Sequence, residues 1–217
     1  MPPSPAFPGT PVRPVARRCG PSAASSRSPG NSPGMSLHTA QGRRKYLTPD
    51  ERTRFIAAAA RQPPDILTLC LVLPWTGCRV SEALALTHAD LDRAGGIVSL
   101  HCLKKRRTGI VRDVPVPGSV MAIFDLVHDL APSEERLWPI GRSTAWQRIK
   151  AVMREAGVGA SAASPKGLRH GFGVHAVRSG VPLNLLQRWL GHADIATTAI
   201  YADVMGAEER EIAARMW

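Results

Sequence analysis

The chain has 217 residues, of which 44% are hydrophobic, and it carries a formal net charge of +11. This length suits one sizeable domain, and the excess of positive charge favours a polyanionic partner such as nucleic acid. Because no apolar run approaches the roughly 20 residues of a membrane span, and no CxxC or zinc-ligand spacing links the four cysteines, we expect a cytoplasmic protein with reduced, buried thiols.

The N-terminal segment is basic and rich in proline. Residues 1–34 contain nine prolines, and residues 1–49 contain seven Arg or Lys and no acid, so this segment supplies +7 of the total charge. The rest of the chain has 28 − 7 = 21 bases against 17 acids, which leaves only +4. We predict a disordered tail and linker over residues 1–47, and Met35 is an alternative natural start.

The region from residue 48 predicts a mainly α domain with one small antiparallel β-hairpin. Thr48 and Glu51 form a capping-box pattern, which marks the start of the first helix. Hydrophobic patterns predict helices near residues 48–61, 64–77, 120–130, 143–156, 182–190 and 206–217. Ile97–Leu103 and Ile110–Pro117 alternate in hydrophobicity as two paired strands do, and Thr87–Asp92 indicates a capped turn.

Residues with useful chemistry concentrate towards the C-terminal end. Ser164-Pro165 is typical of a helix start, and Lys166 and Arg169, three residues apart on that helix, face the same way. His192 follows a helix-ending glycine, and Tyr201 is one of only two tyrosines. A tyrosine that attacks a phosphodiester needs such cations, because they neutralise the charge that develops on the phosphate oxygens.

Five short segments share a characteristic order and spacing. They are TGCRVSEALAL at Thr76–Leu86, LKKRRTGIVRDVPVP at Leu103–Pro117, PKGLRH at Pro165–His170, LGH at Leu190–His192 and TTAIY at Thr197–Tyr201. Together they resemble the motifs of the tyrosine recombinases, also called the phage-integrase family. The resemblance implies that family's catalytic fold over residues 48–217. It also implies a site-specific recombinase or integrase that cuts and rejoins double-stranded DNA through a 3′-phosphotyrosyl intermediate.

The resemblance assigns a role to each matching position. Arg79 and Arg169 match the two catalytic arginines that clamp the scissile phosphate, and Glu82 matches the residue that orients them. His192 matches a hydrogen-bond donor to the same phosphate. Tyr201 matches the nucleophile, so we expect its hydroxyl to be within reach of a bound phosphate.

Two lysine positions raise questions about proton transfer. The family's hairpin presents a lysine as general acid for the leaving 5′ oxygen, and we favour Lys104, with Lys105 as the alternative. Strand alternation allows only one of them to point inward. Lys166 departs from the family, which more often has histidine there. Lysine is normally protonated at neutral pH, so it steadies phosphate charge but is a poor base. His170 points about 100° away on the helix and is interpreted as a buried structural partner.

Other basic residues are candidates for DNA contact. At the hairpin tip, contacts to the DNA backbone are expected from Lys105, Arg106 and Arg107. On the helix near residues 143–156, Arg148 and Lys150 are either DNA contacts or part of a solvated basic face. Because two arginines clamp the phosphate and its bond energy is conserved in the protein–DNA link, we expect neither a metal nor a cofactor.

The family usually places a separate helical DNA-gripping domain before the catalytic one. Residues 1–47 leave no room for it, so we expect weak DNA binding, or binding that depends on a helper protein or second recombinase. Self-association on DNA through the helix near residues 206–217 is one expectation, and folding of that helix back onto its own chain is the alternative. The expected location is the bacterial cytoplasm, with the nucleoid when on DNA. Two other functions stay open: type IB topoisomerase-like nicking and closing, and a truncated non-catalytic DNA-binding remnant.

Overall fold

The computed structural model describes residues 36–103, 109–128 and 135–202. The helices are α1 (Pro49–Ala59), α2 (Pro64–Thr76), α3 (Val80–Ala83), α4 (Gly118–His128), α5 (Arg142–Glu155), α6 (Pro165–Arg178), α7 (Leu183–Leu190) and α8 (Ala196–Ala199). The strands are β1 (Leu91–Asp92), β2 (Ile97–His101) and β3 (Val111–Pro115), and a 3₁₀ turn covers His88–Asp90. The predicted class, mainly α with a small antiparallel sheet, is confirmed.

Side-chain caps fix the starts of two helices that frame the domain. The Thr48 hydroxyl accepts from the Glu51 backbone N–H at 3.2 Å, and the Glu51 carboxylate accepts from the Thr48 N–H at 2.9 Å. At α6, the Ser164 hydroxyl accepts from the Gly167 N–H at 3.1 Å. Each contact satisfies a backbone donor that has no partner within its helix, so both predicted helix starts are confirmed.

The sheet has the order β1-β2-β3, with both pairs antiparallel. Val98 and Leu100 on β2 are fully buried, as expected for the inward face of an alternating strand. On β3 the buried positions are Arg112 and Val114, so a charged residue occupies the inward face. The sequence did not predict the two-residue strand β1, which lies in the segment interpreted as a capped turn.

Helix α2 lies at the centre of the core. It packs against α1, α4 and α6, and it is apolar around most of its circumference, as a helix with neighbours on several sides must be. Cys70 on α2, together with Cys78 and Cys102, is a buried free thiol, as the sequence predicted. No helix in the described parts of the chain has both the length and the hydrophobicity to traverse a lipid bilayer.

Part of the segment expected to be disordered packs against the domain. The sequence predicted a disordered tail and linker over residues 1–47, and for residues 36–47 the structure differs. Leu37 and Leu47 are both buried in the core, and the Leu47 N–H donates to the Gly167 carbonyl of α6 at 3.4 Å. Two isolated leucines in a basic stretch form no periodic pattern, so their burial could not be predicted from local patterning. The rest of that segment lies outside the described residues.

Candidate active site

A cleft of about 610 Å³ opens beside the N-terminal end of α6, between the segments that precede α3 and follow α7. Its lining includes five of the predicted catalytic residues: Arg79, Lys166, Arg169, His192 and Tyr201. They come from widely separated parts of the chain. The sixth predicted catalytic residue, Lys104, lies outside the described residues, as do Lys105, Arg106 and Arg107.

Arg79 is held at the cleft by Glu82. It immediately precedes α3, and its backbone N–H donates to Glu82 Oε2 at 2.8 Å. Its side chain also donates, from Nη1 to Glu82 Oε1 at 2.7 Å. The Glu82 side chain is buried, whereas the Arg79 side chain remains one-third exposed. The guanidinium is therefore fixed on one side and open to the cleft on the other.

Arg112 is the second partner of Glu82 and was not predicted from the sequence. Arg112 is 5% exposed; its Nη2 donates to Glu82 Oε2 at 2.5 Å and its Nε donates to the Trp189 carbonyl at 2.8 Å. Burial by itself raises the pKa of the Glu82 carboxyl, but Arg112 and Arg79 together lower that pKa below its ordinary value. Glu82 thus joins Arg79 to Arg112. Alternation along β3 could have revealed Arg112, because it is in phase with the buried Val114.

Arg169 is buried in the wall of the cleft. Its Nη1 donates to the Gly77 carbonyl at 2.7 Å and its Nη2 donates to the Leu190 carbonyl at 2.6 Å. Burial, and then the charge of Arg79, lowers the pKa of Arg169 to about 10, so the guanidinium stays charged at neutral pH. The ends of α2 and α7 orient it. Each terminal nitrogen still has a second N–H, which can donate a hydrogen bond to an anion in the cleft.

His192 follows a glycine that no other residue replaces easily. Gly191 ends α7 with φ of +64°, and a Cβ there would lie 2.9 Å from Arg112 Nη1. This turn directs His192 into the cleft lining, where its Nδ1 lies 2.9 Å from the hydroxyl of the buried Thr198. Lys166, in the first turn of α6, lines the same cleft and is exposed.

Tyr201 belongs to the cleft wall, but its hydroxyl does not face an open cleft. The residue is 1% exposed, and its Oη lies 3.0 Å from His170 Nδ1. Its ring sits against Gly173, where a Cβ would lie 2.6 Å from the ring, and stacks parallel to His192 at 6.4 Å between centroids. Burial raises the pKa of Tyr201 to about 12. The expected approach of the hydroxyl to a phosphate therefore requires the phenol to move.

His170 is the residue that holds this hydroxyl. It is 6% exposed, which confirms that it is a buried partner. Burial, and then the charges of Lys166, Arg169 and Lys45, lowers the pKa of His170 to about 4. The imidazole is therefore neutral at neutral pH, and a neutral ring forms the contact with Tyr201.

The two DNA-binding residues predicted on α5 occupy different positions. Lys150 donates from Nζ to the Ala163 carbonyl at 2.8 Å, next to the residue that caps α6. Arg148 is exposed and does not line the cleft. Two other α5 residues, Arg142 and Trp146, do line the cleft, and no role was predicted for Trp146 from the sequence. In the described part of the chain, no three His, Cys, Asp or Glu side chains group as metal ligands do.

Comparisons with known proteins identify the family of this chain. Residues 45–208 match the model of the phage integrase family. The tyrosine recombinase XerD of Haemophilus ducreyi is 33% identical over 138 residues, covering 59% of this chain and 46% of XerD. The tyrosine recombinase XerA of Pyrococcus furiosus is 27% identical over 184 residues, covering 79% of this chain and 61% of XerA.

The fold agrees as well. The crystal structure of XerA recombinase matches with a TM-score of 0.66 and 27% identity, covering 79% of this chain and 64% of that one. The chain spans about half to three-fifths of the length of these two curated relatives. Since the family match includes the sheet, the core helices and every residue of the cleft from Cys78 to Tyr201, the chain belongs to the phage integrase family.

Proposed function

We propose that the protein is a tyrosine-type site-specific DNA recombinase, which cuts and rejoins double-stranded DNA through a 3′-phosphotyrosyl link. The observation that carries this proposal is the convergence of Arg79, Arg169 and His192 with Tyr201 on a single cleft. Both curated relatives described above are named tyrosine recombinases. The same residues in an unrelated arrangement would be an ordinary basic surface.

The charge of the cleft suits a DNA strand. In the part of the chain that the structure describes, its lining has four cations and one carboxylate: Arg79, Arg142, Lys166 and Arg169 against Asp194. Arginine guanidinium groups match phosphate oxygens with two parallel hydrogen bonds. We assign the scissile phosphate to the space between Arg79 and Arg169, with Lys166 adding charge rather than acting as a base.

The reaction begins with movement of the nucleophile. The Tyr201 hydroxyl leaves His170 and turns into the cleft, where Arg79 and Arg169 favour the phenolate over the phenol, as their charges already do in the resting state. The phenol gives its proton to solvent water as its oxygen attacks phosphorus. The Tyr201–O–P bond forms and the P–O5′ bond breaks. The leaving 5′ oxygen takes a proton from a hairpin lysine, for which Lys104 is our choice and Lys105 the alternative. Attack by a 5′-hydroxyl from a second DNA reverses these steps.

Partners and location follow from the same hypothesis. Double-stranded DNA is the substrate, and the bacterial cytoplasm is the compartment in which it would be met. Recombination joins two DNA partners, so we propose self-association on DNA, with a helper protein or second recombinase supplying additional grip. The helix predicted near residues 206–217 lies outside the described residues and stays a candidate for that contact.

Covalent trapping on nicked DNA tests the proposal. A pool of duplexes with randomised sequence, each nicked so that the cleaved fragment diffuses away, is incubated with the protein and analysed on denaturing gels. We expect an adduct with the wild type and with Tyr46→Phe, which removes the other tyrosine and leaves the cleft intact. Tyr201→Phe should form none. Sequencing the trapped DNA then identifies a substrate.

Strand exchange separates recombination from topoisomerase-like activity. Two marked duplexes that carry the recovered site should yield hybrid products with the wild type. Adduct formation with religation of the same strand only would favour the nicking-closing alternative. No adduct with any duplex in the pool would contradict catalysis and favour the DNA-binding remnant.

A further inference from the structure

We propose that Trp146 is a DNA-contacting residue of the cleft, and that its indole ring packs against the deoxyribose next to the scissile phosphate. This inference rests on the proposed function, because it takes the cleft to hold a DNA strand. Trp146 would thereby position the phosphate relative to Arg79, Arg169 and Tyr201 without taking part in the bond changes.

The exposure of Trp146 is the first observation. Its side chain lines the cleft and is 47% exposed. The other tryptophans among the described residues, Trp75, Trp138 and Trp189, are all packed in or against the core. An indole has a large apolar surface, and leaving half of it in water sacrifices the stabilisation that burial gives. The core does not use this ring, so a contact made only with a ligand explains it better than folding does.

Its neighbours on α5 are the second observation. Arg142 and Lys150 lie four residues before and after Trp146, and on a helix this spacing places all three along one stripe. Lys150 Nζ lies 5.5 Å from the centre of the indole ring and is held there by its bond to the Ala163 carbonyl. Arg142 is exposed and also lines the cleft. The stripe is thus a flat apolar ring between two cations.

The surroundings identify the occupant as a nucleic-acid strand. The ring faces the same cleft as Lys166 and Arg169, and among the described residues that line this cleft Asp194 is the only carboxylate. This charge repels cationic partners and attracts polyanions. A flat ring flanked by cations matches the alternation of sugar and phosphate along one strand.

The deoxyribose is a better partner than a base. A cleft that holds a backbone phosphate of duplex DNA meets the sugar–phosphate edge, because bases remain stacked inside the helix. The apolar face of the sugar then reaches the indole, while phosphates reach the cations. A contact that fixes the sugar also fixes the phosphate attached to it. Trp146 can therefore affect the rate of cleavage through the position of the phosphate, although it does not take part in making or breaking bonds.

Binding measurements without chemistry form the first arm of the test. In a Tyr201→Phe background, we compare Trp146→Ala, Trp146→Phe and Leu126→Ala for binding to a labelled mixed-sequence duplex by fluorescence anisotropy. Leu126 on α4 is the matched control, because it is 86% exposed but does not line the cleft. We expect Trp146→Ala to weaken binding by about tenfold, and Trp146→Phe to restore most of it. Leu126→Ala should have no effect.

Modified substrates form the second arm and identify the contacted group. Each nucleotide flanking the scissile phosphate is replaced in turn by a tetrahydrofuran abasic unit, which keeps the sugar ring, or by a propyl spacer, which removes sugar and base. Adduct formation is then measured with wild type and Trp146→Ala. We expect the Trp146→Ala defect to persist on the abasic substrates and to vanish on the spacer substrate at one flanking position.

The outcomes separate this inference from the proposed function. Adduct formation without any Trp146→Ala defect overturns the inference and leaves the recombinase in place. If the Trp146→Ala defect vanishes on an abasic substrate, Trp146 contacts a base. If the defect persists on both spacer substrates, Trp146 contacts neither flanking nucleotide. Each of these two results would overturn the proposed contact with the sugar. If no adduct forms, the proposed function fails, and the anisotropy measurement alone tests the contact of Trp146 with DNA. Equal binding with Trp146 and with Trp146→Ala would then overturn the inference as well.

Discussion

The two sides of the cleft are built in opposite ways. On the inner side, Arg169, His170 and Tyr201 are each less than a tenth exposed. Backbone carbonyls accept from the Arg169 guanidinium, and His170 Nδ1 is paired with the Tyr201 hydroxyl. On the outer side, Arg142 and Trp146 are exposed to solvent. The inner side is preorganised by the fold, whereas our proposal is that a DNA strand completes the outer side. Substitutions inside should therefore lower both stability and activity, and substitutions outside should lower activity or binding alone.

The largest expected effect on stability is that of Glu82→Gln. The change leaves the buried Arg112 guanidinium without its counter-charge, and breaking a buried ion pair in this way destabilises by about 3–5 kcal/mol. The free energy of unfolding, measured by denaturant titration at neutral pH, checks this. The wild-type carboxyl has a lowered pKa, so its contribution is present above its unfolded pKa, near 4.5, and is lost as pH falls through the folded pKa. An equal free energy of unfolding at neutral pH would contradict the account of the inner side.

Arg169→Lys tests the inner side through catalysis. A lysine has three N–H donors on a single nitrogen. Even if it donated to both the Gly77 and Leu190 carbonyls, it would present one hydrogen to a phosphate where the guanidinium presents two. We expect the rate of adduct formation to fall by about 10²–10³, with a loss of about 1–3 kcal/mol in unfolding free energy. Lys166→Gln, at an exposed residue on the outer side, is the variant to compare with Arg169→Lys. It should slow adduct formation and leave the free energy of unfolding unchanged. Equal stability losses for the two variants would remove the distinction between the sides.

His170→Gln sharpens the comparison through pH. In the folded protein His170 has a pKa of about 4, against an ordinary value of 6.5. Between these values the unfolded chain binds a proton that the folded protein does not, so stability falls as pH falls from 6.5 to 4. The fall is on the order of 3 kcal/mol. The variant should lack this component in denaturant titrations across that range. An unchanged slope would show that burial and the neighbouring cations do not hold His170 neutral.

The smallest effect is expected far from both sides. Arg61 donates to Glu155 at 2.7 Å, but the two side chains are 60% and 40% exposed. Exposed ion pairs contribute about 0–1 kcal/mol. Arg61→Ala should therefore leave adduct formation unchanged and lower the midpoint of thermal unfolding only slightly. A loss of adduct formation would show that the effects of the cleft variants are not local.

Local signals in the sequence were enough to predict most of the fold. The capping box at Thr48, the serine cap of α6 and the helix-ending Gly191 each act within a few residues, so their sequence patterns are sufficient. The two-residue strand β1 and the ordering of residues 36–47 were missed. Both depend on contacts with distant parts of the chain rather than on their own periodicity.

Motifs predicted which residues meet at the cleft but not how they are bonded there. The sequence led to Arg79, Arg169, His192 and Tyr201, and the structure brings them together. It did not reveal that Tyr201 is bonded to His170, because His170 was predicted to be a buried structural partner without a named contact. Tertiary packing decides which atoms meet, and no local spacing encodes it.

The central claim is that Tyr201 becomes covalently attached to DNA. The most direct measurement is mass spectrometry of the protein trapped on a nicked duplex, after digestion with protease and nuclease. The account predicts a nucleotide linked through its 3′-phosphate to the peptide that contains Tyr201, with a free 5′-hydroxyl on the released strand. Attachment at any other residue, or a 5′-phosphate on the released strand, would contradict it.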